Sequence, residues 1–162
     1  MTDIFIEQLI KKSPTSKDLL IKIGVIALVL IIFVLFMLIL PSIGLIITAA
    51  VAFGAYIIIT RLNKEYEYTL TNGELDIDVI YNKASRKRLF TGNIKSFDRM
   101  AHISELGNEV VIDYSTGVPA DNSYFFITNH DKKRVAIIIQ PNERLLEAMA
   151  KVLTRNKFSP KK

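Results

Sequence analysis

The 162-residue sequence contains no cysteine and no tryptophan, and it carries no charged residue between Lys22 and Arg61. Without cysteine, no disulfide framework can stabilise the fold, and the two histidines have no cysteine at the spacing of a zinc site. The uncharged interval Ile23–Thr60 is too long for one membrane span, because a single helix of this length would measure about 57 Å. Pro41 and Ser42 divide the interval into two runs of 18 residues. The sequence therefore predicts two transmembrane helices.

The predicted helical hairpin separates a short N-terminal segment from a C-terminal domain of ordinary soluble composition. The first apolar run starts too late and is too long for a cleaved signal peptide. The predicted segments are an N-terminal segment over residues 1–18, two transmembrane helices over 19–40 and 43–60 within the membrane region 19–60, a turn at 41–42, a folded domain over 61–157 and a tail over 158–162.

Positive charges flank the hairpin on both sides and are missing from its turn. The flanking residues are Lys11, Lys12, Lys17 and Lys22 before the first span, and Arg61 and Lys64 after the second. Lysine and arginine near the ends of spans stay on the cytoplasmic side of the membrane. The sequence thus predicts a cell-membrane protein with two spans and with both termini in the cytoplasm.

The spans carry no charged side chain that could form a proton relay or an ion site, and this argues against a transporter. In the second span, small residues recur at intervals of four, as Gly44 with Thr48 and Ala50 with Gly54. This spacing lets two helix backbones approach closely. It predicts that the second helix packs on the first. In the alternative interpretation, two copies of the chain form a homodimer through this face.

The first twelve residues combine an apolar side with a basic end. The apolar residues are Ile4, Phe5, Ile6, Leu9 and Ile10. With Lys11 and Lys12 they predict an amphipathic helix that lies in the membrane interface, with its lysines at anionic headgroups. A plain membrane anchor and a partner-binding or lipid-sensing helix are the two interpretations of this segment.

Alternating apolar and polar residues predict β-strands in the C-terminal domain. Tyr66, Tyr68 and Leu70 alternate with polar residues up to Asn72-Gly73, which is the strongest short signal for a β-hairpin. The predicted strands are Glu65–Leu70, Glu74–Asn82, Arg86–Phe90, Ile94–Arg99, Glu109–Tyr114, Ser123–Asn129 and Lys133–Gln140. An apolar stripe from Leu145 to Leu153 predicts a final amphipathic helix. The predicted fold class is a membrane α-hairpin plus an α+β domain, in which a bent antiparallel sheet of about seven strands is closed by the C-terminal helix.

This order of elements resembles a known family of small bacterial membrane proteins. The residues that carry the resemblance are the hairpin YEYTLTNGELDI at Tyr66–Ile77 and the basic turn at Lys83–Arg88, placed after two apolar helices. Members of that family have an N-terminal transmembrane hairpin and a C-terminal pleckstrin-homology-like (PH-like) domain. The resemblance covers nearly the whole chain and implies the PH-like architecture. Its motifs are structural, so it supplies no reaction.

The strongest charge feature is the basic turn. PH domains that bind phosphoinositides use a similar pattern in their first loop, whereas here the basic group falls one connection later. The prediction is therefore a non-specific contact with anionic lipid, and the alternative is a solvated strand edge. The candidate lipid contacts are Lys11, Lys12, Lys83, Arg86, Lys87 and Arg88.

The sequence predicts no catalytic, cofactor-binding or metal-binding set, since it has no glycine-rich phosphate loop and no nucleophile elbow. Nucleic acid is not an expected partner, because basic residues are interspersed with acidic ones. We predict an adaptor or scaffold that presents its PH-like domain to a protein partner without catalysis. The alternatives are a module that senses anionic lipid and a membrane-associated enzyme that uses Asp76, Asp78 or Asp113.

Overall fold

A computed structural model describes residues 4–153 and 157–159. The chain forms two units, one of residues 14–64 and one that combines residues 1–13 with residues 65–162. The first unit is a helical hairpin, and the second contains the β-sheets. The helices are α1 (Ser16–Ile39), α2 (Pro41–Leu62) and α3 (Glu143–Val152), and the strands are β1 (Phe5–Lys11), β2 (Lys64–Thr71), β3 (Glu74–Tyr81), β4 (Ser85–Asn93), β5 (Arg99–His102), β6 (Val111–Asp113), β7 (Tyr124–His130), β8 (Lys133–Ile139) and β9 (Phe158–Ser159).

Helix α1 begins at a capping box, in which the Thr15 hydroxyl accepts from the Asp18 amide and the Asp18 carboxylate accepts from the Thr15 amide. Leu40 alone separates α1 from α2. Pro41 occupies the first turn of α2, where a missing N–H costs little. The predicted turn at 41–42 is therefore wrong by one to two residues, and both helices are longer than the predicted spans 19–40 and 43–60.

The side chains of the two helices are almost entirely exposed within the protein. No described residue of α1 is buried, and only Gly44 and Ala55 of α2 are buried. Both helices, of 24 and 22 residues, are long and apolar enough to cross a membrane. A core helix of a soluble protein would be largely covered by other elements. The exposure of these apolar side chains fits two candidate membrane-spanning helices.

The first sheet has the strand order β1-β2-β3-β4. Strand β1 pairs antiparallel with β2, from Phe5 opposite Thr71 to Lys11 opposite Glu65. The amphipathic helix predicted for the N-terminal segment is therefore wrong, and residues 1–3 lie outside the described part of the chain. The true period is two, because Ile6 is buried against the core while its neighbours point outward.

Two tight turns join the strands of the first sheet. Asn72 and Gly73 have positive φ angles of 50° and 89°, as a two-residue hairpin turn requires, so the hairpin predicted here is confirmed. At the next turn Asn82 and Lys83 also have positive φ angles, of 48° and 57°. A lysine in this left-handed region costs about 1 kcal/mol relative to a relaxed backbone.

The second sheet has the order β6-β8-β7-β5-β9 and is mixed, because β6–β8 and β5–β9 are parallel pairs. The domain thus has two sheets of four and five strands instead of one antiparallel sheet of about seven. The strand predicted at Ile94–Arg99 is wrong: Ile94–Ser96 form a 3-10 helix, capped by the Asn93 side chain, and β5 starts only at Arg99.

Two boundaries of the predicted domain 61–157 also change. Residues Phe158 and Ser159 belong to β9, which pairs with β5, and were predicted as tail. The remainder of the predicted tail, 160–162, lies outside the described residues. At the other end, β1 belongs to the sheet unit although the whole helical hairpin separates it from β2 in sequence.

The larger of two apolar clusters lies between the two sheets. Inward side chains of the first sheet, such as Tyr68 and Ile77, pack in one cluster with Phe126 and Ile137 of the second. Helix α3 adds Leu145 to this core and also contacts β1. The Asn142 side chain caps this helix by accepting from the Leu145 amide at 2.8 Å.

Candidate functional site

Basic residues collect at one end of the first sheet. Because its strands are antiparallel, the end of β1, the start of β2 and the β3–β4 turn all lie at this end. The connections to the helices, residues 12–15 and Asn63, leave from the same end. We call this region the basic end; its residues are Lys11, Lys12, Lys64, Lys83, Arg86 and Lys87. The opposite end of the sheet carries the Asn72-Gly73 turn.

The lysines of the basic end differ in exposure. Lys11, Lys83 and Lys87 are exposed. Lys12 is half-buried, and its Cε lies 3.9 Å from the position that a Cβ would take at Gly117. Lys83 stands at the tip of the β3–β4 turn, in a backbone conformation that favours glycine. Three of the four lysines among the predicted lipid contacts are thus open to a ligand.

The two arginines of the predicted set are held by carboxylates on the outward face of the sheet. The Arg86 guanidinium contacts the Glu67 carboxylate at 2.7 Å, and Arg88 contacts Asp76 at 2.8 Å. Arg88 also donates to Asp78, and these hydrogen bonds are the main cause that raises the pKa of Arg88. Glu67 and Asp78 are each only 4% exposed. The arginines therefore neutralise two buried carboxylates, and their charge is largely compensated within the sheet.

Glu67 lies on β2 and contacts side chains from β1 and β4, namely Glu7 and Arg86. Burial raises the pKa of Glu67 above its ordinary value, the Arg86 charge lowers it, and a hydrogen bond with the Glu7 side chain raises it further. The net direction is upward. The folded sheet unit therefore binds a proton at Glu67 more tightly than the unfolded chain does.

This raised pKa predicts a pH-dependent effect of Glu67→Gln. A group with a raised pKa stabilises the fold most at low pH and loses that contribution as pH rises through its folded pKa. Relative to the Gln variant, the wild type should therefore gain stability as pH falls from neutral towards the ordinary glutamate pKa. Urea unfolding in mild detergent measures this difference, with Glu74→Gln as the exposed control. A difference that does not change with pH would contradict the prediction.

The three carboxylates considered for an enzyme, those of Asp76, Asp78 and Asp113, do not form one group. Asp76 and Asp78 both contact Arg88 on the first sheet. Asp113 lies on β6 of the second sheet, where its Oδ1 accepts from the Ser115 amide at 2.8 Å. Within residues 4–153 and 157–159, no group of three His, Asp or Glu side chains is placed to hold a metal ion.

Gln140, at the end of β8, joins several elements through buried hydrogen bonds. Its Nε2 donates to Val118 O at 2.7 Å and to Ser123 Oγ at 3.0 Å, while its Oε1 accepts from the Thr116 amide at 3.1 Å. Its backbone carbonyl accepts from Gln8 Nε2 at 2.9 Å. We call this group the Gln140 hub. Sequence reasoning missed it, because its members lie up to 132 positions apart and share no motif.

Tyr68 extends the Gln140 hub to strand β2. Its hydroxyl donates to Tyr114 O at 2.5 Å and accepts from the Gln140 amide at 3.3 Å. Burial raises the pKa of Tyr68, so the phenol keeps its proton. The Gln140 hub is a structural device that links β1, β2 and the loop before β7.

The small residues of α2 divide between two faces. Gly44 is buried, and a Cβ there would lie 3.0 Å from backbone atoms of Phe36. Thr48 donates its hydroxyl to Gly44 O within the same helix. Ala50 is exposed, and a Cβ at Gly54 would meet no atom within 4 Å. Of the predicted packing residues, Gly44 packs closely against α1, whereas Ala50 and Gly54 face open space.

Gly44→Leu is expected to open the hairpin, because the new side chain meets helix backbone that cannot move aside. We expect a cost of about 1–3 kcal/mol. Gly54→Leu is the matched control and should have little effect, since its surroundings are open. Lys22 Nζ and Asn63 Oδ1 lie 3.4 Å apart across the hairpin, so the yield of cross-linking between Lys22→Cys and Asn63→Cys with a short bis-thiol reagent measures closure. Equal yields in both leucine variants would contradict the prediction.

Comparison with known families gives one match. Residues 2–159 match the model of a family described as a bacterial PH-like domain (DUF6106). No curated protein and no solved structure gives a significant match. The matched region includes β1, both apolar helices and both sheets.

Proposed function

The chain belongs to the bacterial PH-like domain family, and we propose that it is a membrane-anchored module whose basic end contacts anionic lipid headgroups. The observation that carries this proposal is the shared position of Lys11, Lys83 and Lys87. They lie at the end of the sheet from which the chain runs into both apolar helices. Each basic residue near an anionic leaflet contributes about 1 kcal/mol of attraction.

The pairing of β1 with β2 supports the predicted topology. These two strands flank the helical segment in sequence and belong to one sheet. Both ends of the segment therefore have to reach the same side of the bilayer, which requires an even number of crossings. Together with the flanking lysines, this favours two spans in the cell membrane with both ends in the cytoplasm.

The expected lipid contact is electrostatic and not specific for one headgroup. Arg86 and Arg88, which would complete a phosphate-binding pattern, are already bound to Glu67, Asp76 and Asp78. The exposed lysines are point charges on flexible stems. Attraction of this kind weakens as salt screens the surface.

The test uses the full chain in nanodiscs of neutral or partly anionic lipid. A fluorescent probe on Ala84→Cys, in the turn that carries Lys83, reports contact through a quencher in the lipid headgroups. Lys83→Glu/Lys87→Glu should weaken contact by at least about 30-fold, since two charges contribute about 2 kcal/mol.

Lys132→Glu/Lys133→Glu is the matched control, because it reverses two exposed lysines at the β7–β8 turn. Contact should also fall with added salt. Equal quenching in neutral and anionic discs, or equal loss in the control, would refute the lipid contact.

A second candidate is the adaptor for a protein partner that the sequence predicts. The observation that favours it is the exposure of Phe5 (59%) and Leu9 (53%) on β1, beside the outer edge of the first sheet. Large apolar side chains next to an open strand edge are typical of a surface that binds another chain. In both roles the chain would act by binding and not by catalysis.

A further inference from the structure

Strand β1 has an open edge. The carbonyl of Ile4 accepts from the Asn72 amide at 3.0 Å, which sets the hydrogen-bond pattern between β1 and β2. Since this pattern alternates along an antiparallel pair, the even-numbered residues of β1 bond to β2. The backbone groups of Phe5, Glu7, Leu9 and Lys11 point the other way, where the first sheet, as far as the structure describes the chain, has no further strand.

The two edge strands of the first sheet, β1 and β4, differ in charge and in the regularity of their pairing. At the β4 edge, Arg86, Lys87 and Arg88 are exposed, and the pairing with β3 contains a register shift between Ile77 and Asp78. Charges and bulges of this kind prevent accidental strand pairing. Strand β1 is regular over its seven residues and exposes apolar side chains. The exposed charges of β1, Glu7 and Lys11, are of opposite sign, so the β1 edge lacks the run of like charges and the register shift of the β4 edge.

We propose that β1 pairs antiparallel with β1 of a second copy of this chain. The inference rests on the adaptor role, the second candidate function, and names the occupant of the β1 edge. With Leu9 opposite Leu9 of the second copy, Glu7 lies opposite Lys11 of the second copy on both sides of the two-fold axis. The strand thus complements itself in charge. A register centred on Glu7 would place two glutamates opposite each other.

The length of this pairing is set by the structure. The next outward-facing amide, that of Ser13, already donates to Thr116 O at 2.8 Å. The paired segment therefore runs from Glu7 to Lys11, and it joins two four-stranded sheets into one continuous sheet. Each pair of opposite charges across the two β1 strands stabilises their pairing. Confinement of both copies to one membrane raises their effective concentration and so favours the dimer.

The absence of cysteine allows a direct test in the full chain, in membranes or mild detergent. Leu9→Cys should form a disulfide-linked homodimer under mild oxidation, because opposed Cα atoms at such a pair lie about 5.5 Å apart. Val118→Cys is the matched control, since Val118 is also 53% exposed. A yield for Leu9→Cys no higher than for Val118→Cys would overturn the proposal.

Charge reversal in the Leu9→Cys background tests the register. Glu7→Lys and Lys11→Glu should each lower the dimer yield about five-fold, and the double variant Glu7→Lys/Lys11→Glu should restore it. Failure of the double variant to restore the yield would overturn the register. Cross-linking of the Leu9→Cys variant only to a different protein would overturn self-pairing and leave the adaptor role standing. The absence of cross-linking to any chain would count against self-pairing and against the adaptor role.

Discussion

A fragment of residues 64–162 is expected to remain unfolded, whereas the same fragment with residues 1–13 attached through a short linker is expected to fold. The difference is β1. Its Ile6 side chain is buried in the core, and burial of such a side chain contributes about 2 kcal/mol. Gln8 also donates to Gln140 O at 2.9 Å and accepts from the Asn142 amide at 2.7 Å.

Loss of β1 leaves these groups without partners and uncovers β2. The loss of the Ile6 burial, of the two Gln8 hydrogen bonds and of the backbone ladder between β1 and β2 costs about 5 kcal/mol in total, since each hydrogen bond contributes about 0.5–1.5 kcal/mol. That is comparable to the whole stability of a small domain, about 5–15 kcal/mol. The linker can be short, because Lys11 and Glu65 are directly opposite in the sheet, about 5 Å apart.

Circular dichroism and amide NMR dispersion distinguish the two chains. The control is the linked chain with Ile6→Asp, which keeps its length and should lose most of the gain. A well-dispersed spectrum from the 64–162 fragment alone would contradict the prediction, and it would mean that β1 is an accessory strand.

Gln140→Leu is expected to lower the free energy of unfolding of the sheet unit by about 2–4 kcal/mol. The variant removes three side-chain hydrogen bonds of a residue that is 3% exposed. The Thr116 amide, the Val118 carbonyl and the Ser123 hydroxyl then lose this partner. Each such hydrogen bond contributes about 0.5–1.5 kcal/mol, so the loss of three of them costs about 2–4 kcal/mol.

Urea unfolding of the linked soluble chain measures this loss. Asn122→Leu is the control, because Asn122 is an exposed residue whose hydrogen bond to Pro141 O is long, at 3.3 Å. We expect that control to change stability by less than about 1 kcal/mol. Similar losses in both variants would show that the Gln140 hub does not hold β1 and the loop before β7 together.

Local patterns in the sequence predict the helical hairpin and the first β-hairpin, because their signals lie within a few residues. The uncharged interval and Asn72-Gly73 are such signals. The N-terminal segment misleads, since Ile6 and Ile10 are four residues apart and fit one face of a helix as well as one face of a strand. Its partner β2 decides between them, and that partner follows only after both helices.

The same limit explains the missed parts of the site. Lys83 and Lys87 are close in sequence, so the sequence alone shows that they form a cluster. Their position at the same end of the sheet as Lys11 depends on the antiparallel order of four strands. The engagement of Arg86 by Glu67 crosses 19 positions. The mixed second sheet depends on parallel pairs such as β5–β9, for which a single sequence holds no local signal.

The separation of β1 from β2 by the helical hairpin has a consequence for biosynthesis. Strand β1 leaves the ribosome before its pairing partner β2, which emerges only after both apolar helices have been translated. In the proposed topology, failure of one helix to insert would leave the two strands on opposite sides of the bilayer, and the sheet could not close. Completion of the sheet would then depend on insertion of both helices, and a wrongly inserted chain would present an unfinished sheet to cellular proteases.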